Sequence, residues 1–226
     1  MKLRYEKNTM TATVKAPKQN IPLENRSTRL YVTIQGILGG LIAMIHGISE
    51  VLQGNRPTGG NWLVSIGAFT LIHNYLFTGV VAILVGLGLL VWTAGWIHTR
   101  HGAAVFLLIS VILFLVGGGV AQVAFFLIAW AVALQIRRPL EGWRRRIPGP
   151  KREQLANRWK WYFTAGYVFL AAGILIWLFL TPPGAATKDP VAQYLCWACL
   201  LVGLVFQLLT IVAGFARDIQ RRGLEQ

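Results

Sequence analysis

The sequence predicts an all-α membrane protein, a polytopic bundle of six hydrophobic segments with both termini in the cytoplasm. Three observations predict it. Of 226 residues, 55% are hydrophobic and 13% charged, and the mean hydropathy is +0.54, a composition that excludes an ordinary soluble domain. Runs almost free of charge recur at about 30–49 (reaching Gln53 past Glu50), 71–97, 103–136, 161–181 and 191–216, each long enough for a bilayer core of about 30 Å. Finally, the basic residues fall on one side once the third run is folded into a hairpin.

That third run decides the count. As one helix its thirty-four residues would reach about 51 Å, far beyond one crossing. Gly117-Gly118-Gly119 stands at its middle, and the backbone freedom of glycine suits a tight turn between helices at about 103–117 and 120–136. With that turn, twenty of the 22 Lys and Arg residues share the side of the termini, leaving Arg56 and Lys188 opposite. Without it the basic stretch 137–160 would lie outside and the asymmetry would collapse. A re-entrant hairpin, dipping in and returning, gives the same sidedness.

The elements follow in order. Residues 1–29 read as a basic cytoplasmic tail, with no apolar core or cleavage site of a signal peptide. Thr28 or Ser27 is placed to cap helix 1, at about 30–52. The external stretch 54–72 opens with the turn residues Arg56-Pro57-Thr58-Gly59-Gly60-Asn61 and continues as a short apolar run, 62–69, that either lies at the interface or plugs the bundle. Helix 2, about 72–97, carries Trp92 and Trp96 at its inner end. Residues 30–136 thus form a four-segment unit, followed by a basic cytoplasmic loop, 137–160. A two-helix membrane hairpin, 161–216, and a cytoplasmic tail, 217–226, complete the chain. Helix 5, about 159–181, begins at Trp159 and Trp161 and stops at Pro182-Pro183-Gly184; Pro190 opens helix 6. No heptad array or repeat of fixed period is visible.

The basic loops lie beside the spans, so Arg144, Arg145 and Arg146 with Trp92, Trp96, Trp159 and Trp161 read as interface anchors contacting anionic lipid rather than as a nucleic-acid surface. Glycines Gly36, Gly39, Gly40 and Gly47 on helix 1, and Gly79, Gly86 and Gly88 on helix 2, allow close helix approach. Cys196 and Cys199 share a face with Gly203, Gln207 and Thr210, a packing seam; a thiol redox role would need an exposed thiolate in a helix-start context that is missing here.

Chemistry concentrates on helix 1. His46 and Glu50 are four residues apart, and Gln35, Gly39 and Gln53 extend the same face into a polar and small-residue stripe. Glu50 is the only acidic residue inside any apolar run, and an ionisable group in a span marks a functional site by default. His73 and Asn74, opening helix 2, belong to the same outer level, which makes His46, Glu50, His73, Asn74 and Gln53 a candidate proton or solute site. His46, Glu50 and His73 alone would be a two-His, one-carboxylate metal set. The plain structural reading has Glu50 solvated within a turn of the surface, beside its helical neighbour His46. Phosphate-binding glycine loops, GxSxG and HExxH are absent, so no catalytic residue and no cofactor is predicted.

The run Gln53-Gly54-Asn55-Arg56-Pro57-Thr58-Gly59-Gly60, then Ile66-Gly67-Ala68-Phe69-Thr70, His73-Asn74-Tyr75-Leu76-Phe77-Thr78-Gly79 and Val116-Gly117-Gly118-Gly119, resembles a group of uncharacterised bacterial multi-pass membrane proteins over residues 29–138. The four-helix layout is loosely similar to DoxX-like membrane proteins. The resemblance implies an intact four-helix unit in a bacterial cytoplasmic membrane and brings no activity.

Three functional expectations follow. The first is a structural, assembly or accessory subunit that packs on a membrane-protein partner or on its own copies. The second is a small transporter or channel component using the helix 1 face. The third is a metal- or haem-binding membrane oxidoreductase built on His46, Glu50 and His73.

Overall fold

A computed structural model of the chain describes residues 24–63, 68–180 and 189–224. The expectations for the tail before residue 24 and for the stop at Pro182-Pro183-Gly184 lie outside the described residues. The elements are α1 (Arg26–Val51), β1 (Trp62–Leu63), β2 (Ala68–Thr70), α2 (Tyr75–Gly95), α3 (Gly102–Leu115), β3 (Val116–Gly119), α4 (Val120–Ala133), α5 (Glu141–Arg146), α6 (Gly149–Leu180) and α7 (Pro190–Leu224). Four helices, α1, α2, α6 and α7, are long and apolar enough to cross a membrane, which makes this a multi-pass membrane protein. Large apolar side chains stay exposed along them, among them Ile45, Leu84, Leu175 and Leu201. With no hydrophobic drive between helices in lipid, close packing and polar contacts hold such a bundle together.

The α1–α2 pair shows that close packing directly. A Cβ added at Gly40 would stand 2.6 Å from the Gly86 carbonyl oxygen, and one at Gly86 would stand 2.8 Å from the Gly40 oxygen. Gly47 and Gly79 meet in the same reciprocal way, at 2.6 and 2.5 Å, and Thr93 fills the space over Gly36. The small residues therefore recur seven apart on each helix, Gly40 and Gly47 against Gly79 and Gly86. Gly88, expected in the seam, faces open space, because it lies two residues past Gly86 and so on another face. Replacing Gly40 by leucine is expected to destabilise the protein by about 2–3 kcal/mol, the cost of overpacking a tight contact. The same change at Gly88 should leave the apparent melting temperature in detergent nearly unchanged.

The α3–α4 region departs furthest from expectation. Each helix has 14 residues, about 21 Å, well short of a 30 Å core. The glycines between them form no tight turn. Val116–Gly119 is an extended strand, the third of a sheet ordered β1-β2-β3, with Ala68 opposite Gly119 and Thr70 opposite Val116. Among the three glycines only Gly117, at φ +101°, needs the left-handed region that favours glycine. Extended backbone at this depth leaves amide groups that helix would have satisfied internally. The stretch before α2 supplies the partners, through β2 and Leu71, and so packs over the ends of the helices. Thr70 secures the arrangement: its hydroxyl lies 2.8 Å from that of Thr78, which donates to the Val116 carbonyl at 2.8 Å. The Leu71 amide donates to the Leu115 carbonyl at 2.9 Å.

The basic end of the bundle is more helical than the sequence suggests. The stretch expected as a loop over 137–160 contains α5, and α6 begins at Gly149, ten residues before the expected start, because Pro150 is acceptable in a first helical turn. Similarly α7 runs past the expected end at 216 to Leu224. Neither Ser27 nor Thr28 is the N-cap residue of α1; Asn25 holds that position, with its side chain committed elsewhere, to the carbonyls of Gln135 at 2.5 Å and Arg138 at 3.0 Å. The main core gathers here, with Tyr31 and Val32 of α1, Leu89 of α2, Phe106 of α3, Phe126 and Val132 of α4, and Phe215 and Ile219 of α7.

Candidate functional site

Glu50 lies in the last turn of α1, on the side that faces β3. It is 0% exposed, which overturns the expectation of a solvated carboxylate. The reason is the sheet: β3 passes directly over the side chain, and a Cβ on Gly117 would stand 2.6 Å from Oε1 and 2.9 Å from Oε2. Neither oxygen has a hydrogen-bond partner among the described residues. An uncompensated charge in such a place costs several kcal/mol. The geometry therefore calls for something to share the carboxylate, a proton or a small cation.

His46, one turn earlier, addresses the same strand two residues further along. Its Nε2 lies 3.3 Å from where a Gly119 Cβ would be, and the Nε2 of Gln122, from α4, lies 3.8 Å from that point. Both side-chain polar atoms of Gln122 are buried without a hydrogen-bond partner among the described residues. Glu50, His46 and Gln122 thus flank one bare glycine backbone, and side chains on those glycines would occupy the space between them. The sequence reading missed Gln122; its signal was a lone amide in the otherwise apolar run of α4.

The other expected members do not join this group. His73 is exposed, and among the described residues no three His, Cys, Asp or Glu side chains come together, so the His46, Glu50 and His73 ligand set does not form. Asn74 serves as the N-cap of α2, accepting from the Phe77 amide at 3.1 Å and donating to Asn55 Oδ1 at 2.6 Å. Gln53 donates to the Ser49 carbonyl at 3.4 Å, its own preceding turn.

Gln35 belongs to a second polar layer, nearer the start of α1. Its Nε2 donates to the Tyr31 hydroxyl at 3.0 Å and to Gln207 Oε1 on α7 at 3.4 Å, and the buried hydroxyl of Tyr167 on α6 lies at the same level.

The remaining candidates have structural places. Cys196 is buried, its Sγ 3.4 Å from the Gly173 carbonyl, and Cys199 is half-buried. Leu170 fills the space over Gly203, in keeping with a packing seam between α6 and α7. Among the anchors, Arg144, Arg145 and Arg146 are exposed, as is Trp96, while Trp92 is half-buried and donates to the Gly102 carbonyl at 3.2 Å. Trp161 is 77% exposed, but Trp159 is only 4% exposed. Packed against Gly214 and Phe163 with the Arg217 guanidinium over its ring, Trp159 is a core residue and not a lipid anchor, because α7 continues past it.

No family model, no curated protein and no solved structure matches this chain.

Proposed function

We propose that this chain is an integral protein of a bacterial cytoplasmic membrane, with both termini in the cytoplasm, that carries protons or small cations by way of Glu50. One observation carries the reading: a fully enclosed carboxylate, without a hydrogen-bond partner among the described residues, lies at a break in helical backbone. Ionisable groups within spans are costly and mark ion and proton paths. Non-helical backbone at membrane depth is a recurrent element of transport sites, where short half-helices meet beside the bound ion. The α3–β3–α4 hairpin, reaching the depth of His46 and Glu50 under its own sheet, supports that comparison. The positive-inside asymmetry, twenty of the 22 Lys and Arg residues, supports the orientation, and the exposed Arg144–Arg146 cluster supports contact with anionic lipid.

The test is flux in proteoliposomes under an imposed potential, with an internal pH dye in one set and a sodium-sensitive dye in another. Wild type should show protein-dependent flux of one ion, and Glu50→Gln, nearly isosteric and unable to carry a proton or balance a cation, should abolish it. Equal flux from both proteins, or none from either, would overturn the reading.

A structural or accessory role is the second reading, favoured by α6, which packs on α7 and leaves Trp161, Val168, Ile174 and Phe179 exposed. A second polypeptide, a further copy of the chain or a protein of the same membrane, would cover that face. Native mass spectrometry from mild detergent should then show a stable complex, and a strictly monomeric protein would remove this reading.

A further inference from the structure

The polar stripe of α1 is interrupted. At the sheet end stand His46, Glu50 and Gln122; at the basic end stand Tyr31, Gln35 and Gln207. Between them the Phe126 ring occupies the notch that Gly39 leaves in α1, so that a Cβ at Gly39 would collide with it. Phe126 stands four residues after Gln122 and is therefore on the same face of α4. Its ring is held edge-on against buried Phe106, at 6.0 Å between centroids and 83° between planes. From Tyr31 to Glu50 is nineteen residues of helix, about 28 Å, which is close to the thickness of a hydrocarbon core. From Gln35 to His46 is about 16 Å, and this middle portion is lined by Gly39, Ala43 and Phe126.

We infer that Phe126 is a dry gate between two proton-handling stations, the Glu50 site and an inner polar layer formed by Tyr31, Gln35 and Gln207. The inner layer is a site in its own right. Gln207 is 2% exposed, and its Nε2 has no hydrogen-bond donor role within the described residues. The Gln35 amide reaches both Tyr31 and Gln207. Two amides and two phenols, Tyr31 and Tyr167, meet at that depth and offer a water the donors and acceptors it needs. On the Gly39 face of α1, the Phe126 ring stands between that layer and Glu50. The notch at Gly39 gives the ring its closed position, and a rotation out of the notch would leave space beside a bare helix backbone. A proton leaving Glu50 would pass to water entering there and on to the inner layer, with no bond other than O–H and N–H made or broken.

This inference rests on the proton form of the proposed function, and its test separates the two. In the same proteoliposomes, Phe126→Ala is expected to raise passive proton flux about tenfold, equivalent to about 1.4 kcal/mol off the barrier, and Phe126→Leu by less. Adding Glu50→Gln or Gln35→Leu to Phe126→Ala should each return the leak to background, since each removes one station. A leak indifferent to both additions, or no leak from either Phe126 variant in folded, monodisperse protein, would overturn the gate. If wild type carries Glu50-dependent flux that Phe126→Ala does not raise, the gate falls and the transport reading stands. If wild type carries none, yet Phe126→Ala opens a leak that Glu50→Gln closes, the gate stands and the transport reading falls.

Discussion

Gly117→Ala is expected to lower stability by about 2–6 kcal/mol and to abolish whatever depends on Glu50. Two independent costs meet there. The residue is held at φ +101°, where a side chain adds roughly 1–3 kcal/mol of backbone strain. The added carbon would also stand 2.6 Å from one carboxylate oxygen and 2.9 Å from the other, a further overpacking cost of about 1–3 kcal/mol. Relief by turning the carboxylate away is blocked because Glu50 is enclosed on every side. Relief by moving the strand would break its pairing with Ala68 and Thr70 and the Thr78 bond to the Val116 carbonyl. Gly95→Ala is the matched control, since nothing lies within 4 Å of its added carbon. Thermal unfolding of both variants in one detergent measures the difference. If Glu50→Gln and Gly117→Ala each lower activity but differ widely in stability, the carboxylate and the strand have separable roles. A Gly117→Ala protein as stable as Gly95→Ala would show that the strand does not press on Glu50.

How far the sequence announced this arrangement can be followed residue by residue. Charge and hydropathy placed the hydrophobic runs well, because each depends only on local composition. The importance of Glu50 was legible for the same reason: one acid in an apolar run is conspicuous. Its enclosure is not, because the strand that covers it lies more than sixty residues later, and the segment that pairs with that strand reads locally only as the end of a short apolar run. Three glycines in a row report freedom of the backbone but not its use. A tight turn and an extended strand both exploit small residues, and only the partner, Ala68–Thr70, distinguishes them. The α1–α2 seam was half legible. Its glycines were identified, but assigning Gly88 to it ignored helical phase, which Gly79 and Gly86 already defined. Gln122 shows only as a lone amide in an apolar run and Phe126 not at all; they gain meaning from His46 and Gly39 across the interface, a pairing of distant residues that no local pattern encodes.

Asp218 falls in the stretch 217–226, expected to be a cytoplasmic tail, and its replacement by alanine is expected to cost about 3 kcal/mol or more. The start of α1 presents backbone N–H groups with no helical partner, and the usual solution, a side chain at the N-cap position, is missing because Asn25 is turned to the carbonyls just past the end of α4. Asp218 supplies the cap from α7. Its Oδ1 accepts from the Ser27 amide at 2.8 Å, and its Oδ2 accepts from the Thr28 amide at 2.9 Å and the Thr28 hydroxyl at 2.7 Å. At 3% exposure these are charge-assisted bonds sheltered from water, worth about 1.5–3 kcal/mol each before compensation, and the carboxylate sits where the α1 dipole favours it. Asp218→Asn should recover part of the loss, since its carbonyl oxygen still accepts one bond but the charge is gone. Glu24→Ala offers the contrast: the Glu24 carboxylate is 2.6 Å from Arg29, yet both side chains are about one-third exposed, so its loss should cost at most about 1 kcal/mol. Unfolding in detergent should therefore rank Asp218→Ala, Asp218→Asn and Glu24→Ala from most to least damaging. Equal effects from Asp218→Ala and Glu24→Ala would show that the cap is solvated and that α7 is held to α1 by its apolar contacts at Phe215 and Ile219. If the ranking holds, one carboxylate both completes the first membrane helix and fixes the last one against it. The inner polar layer, where Gln207 of α7 meets Gln35 of α1, then depends on Asp218 for its register.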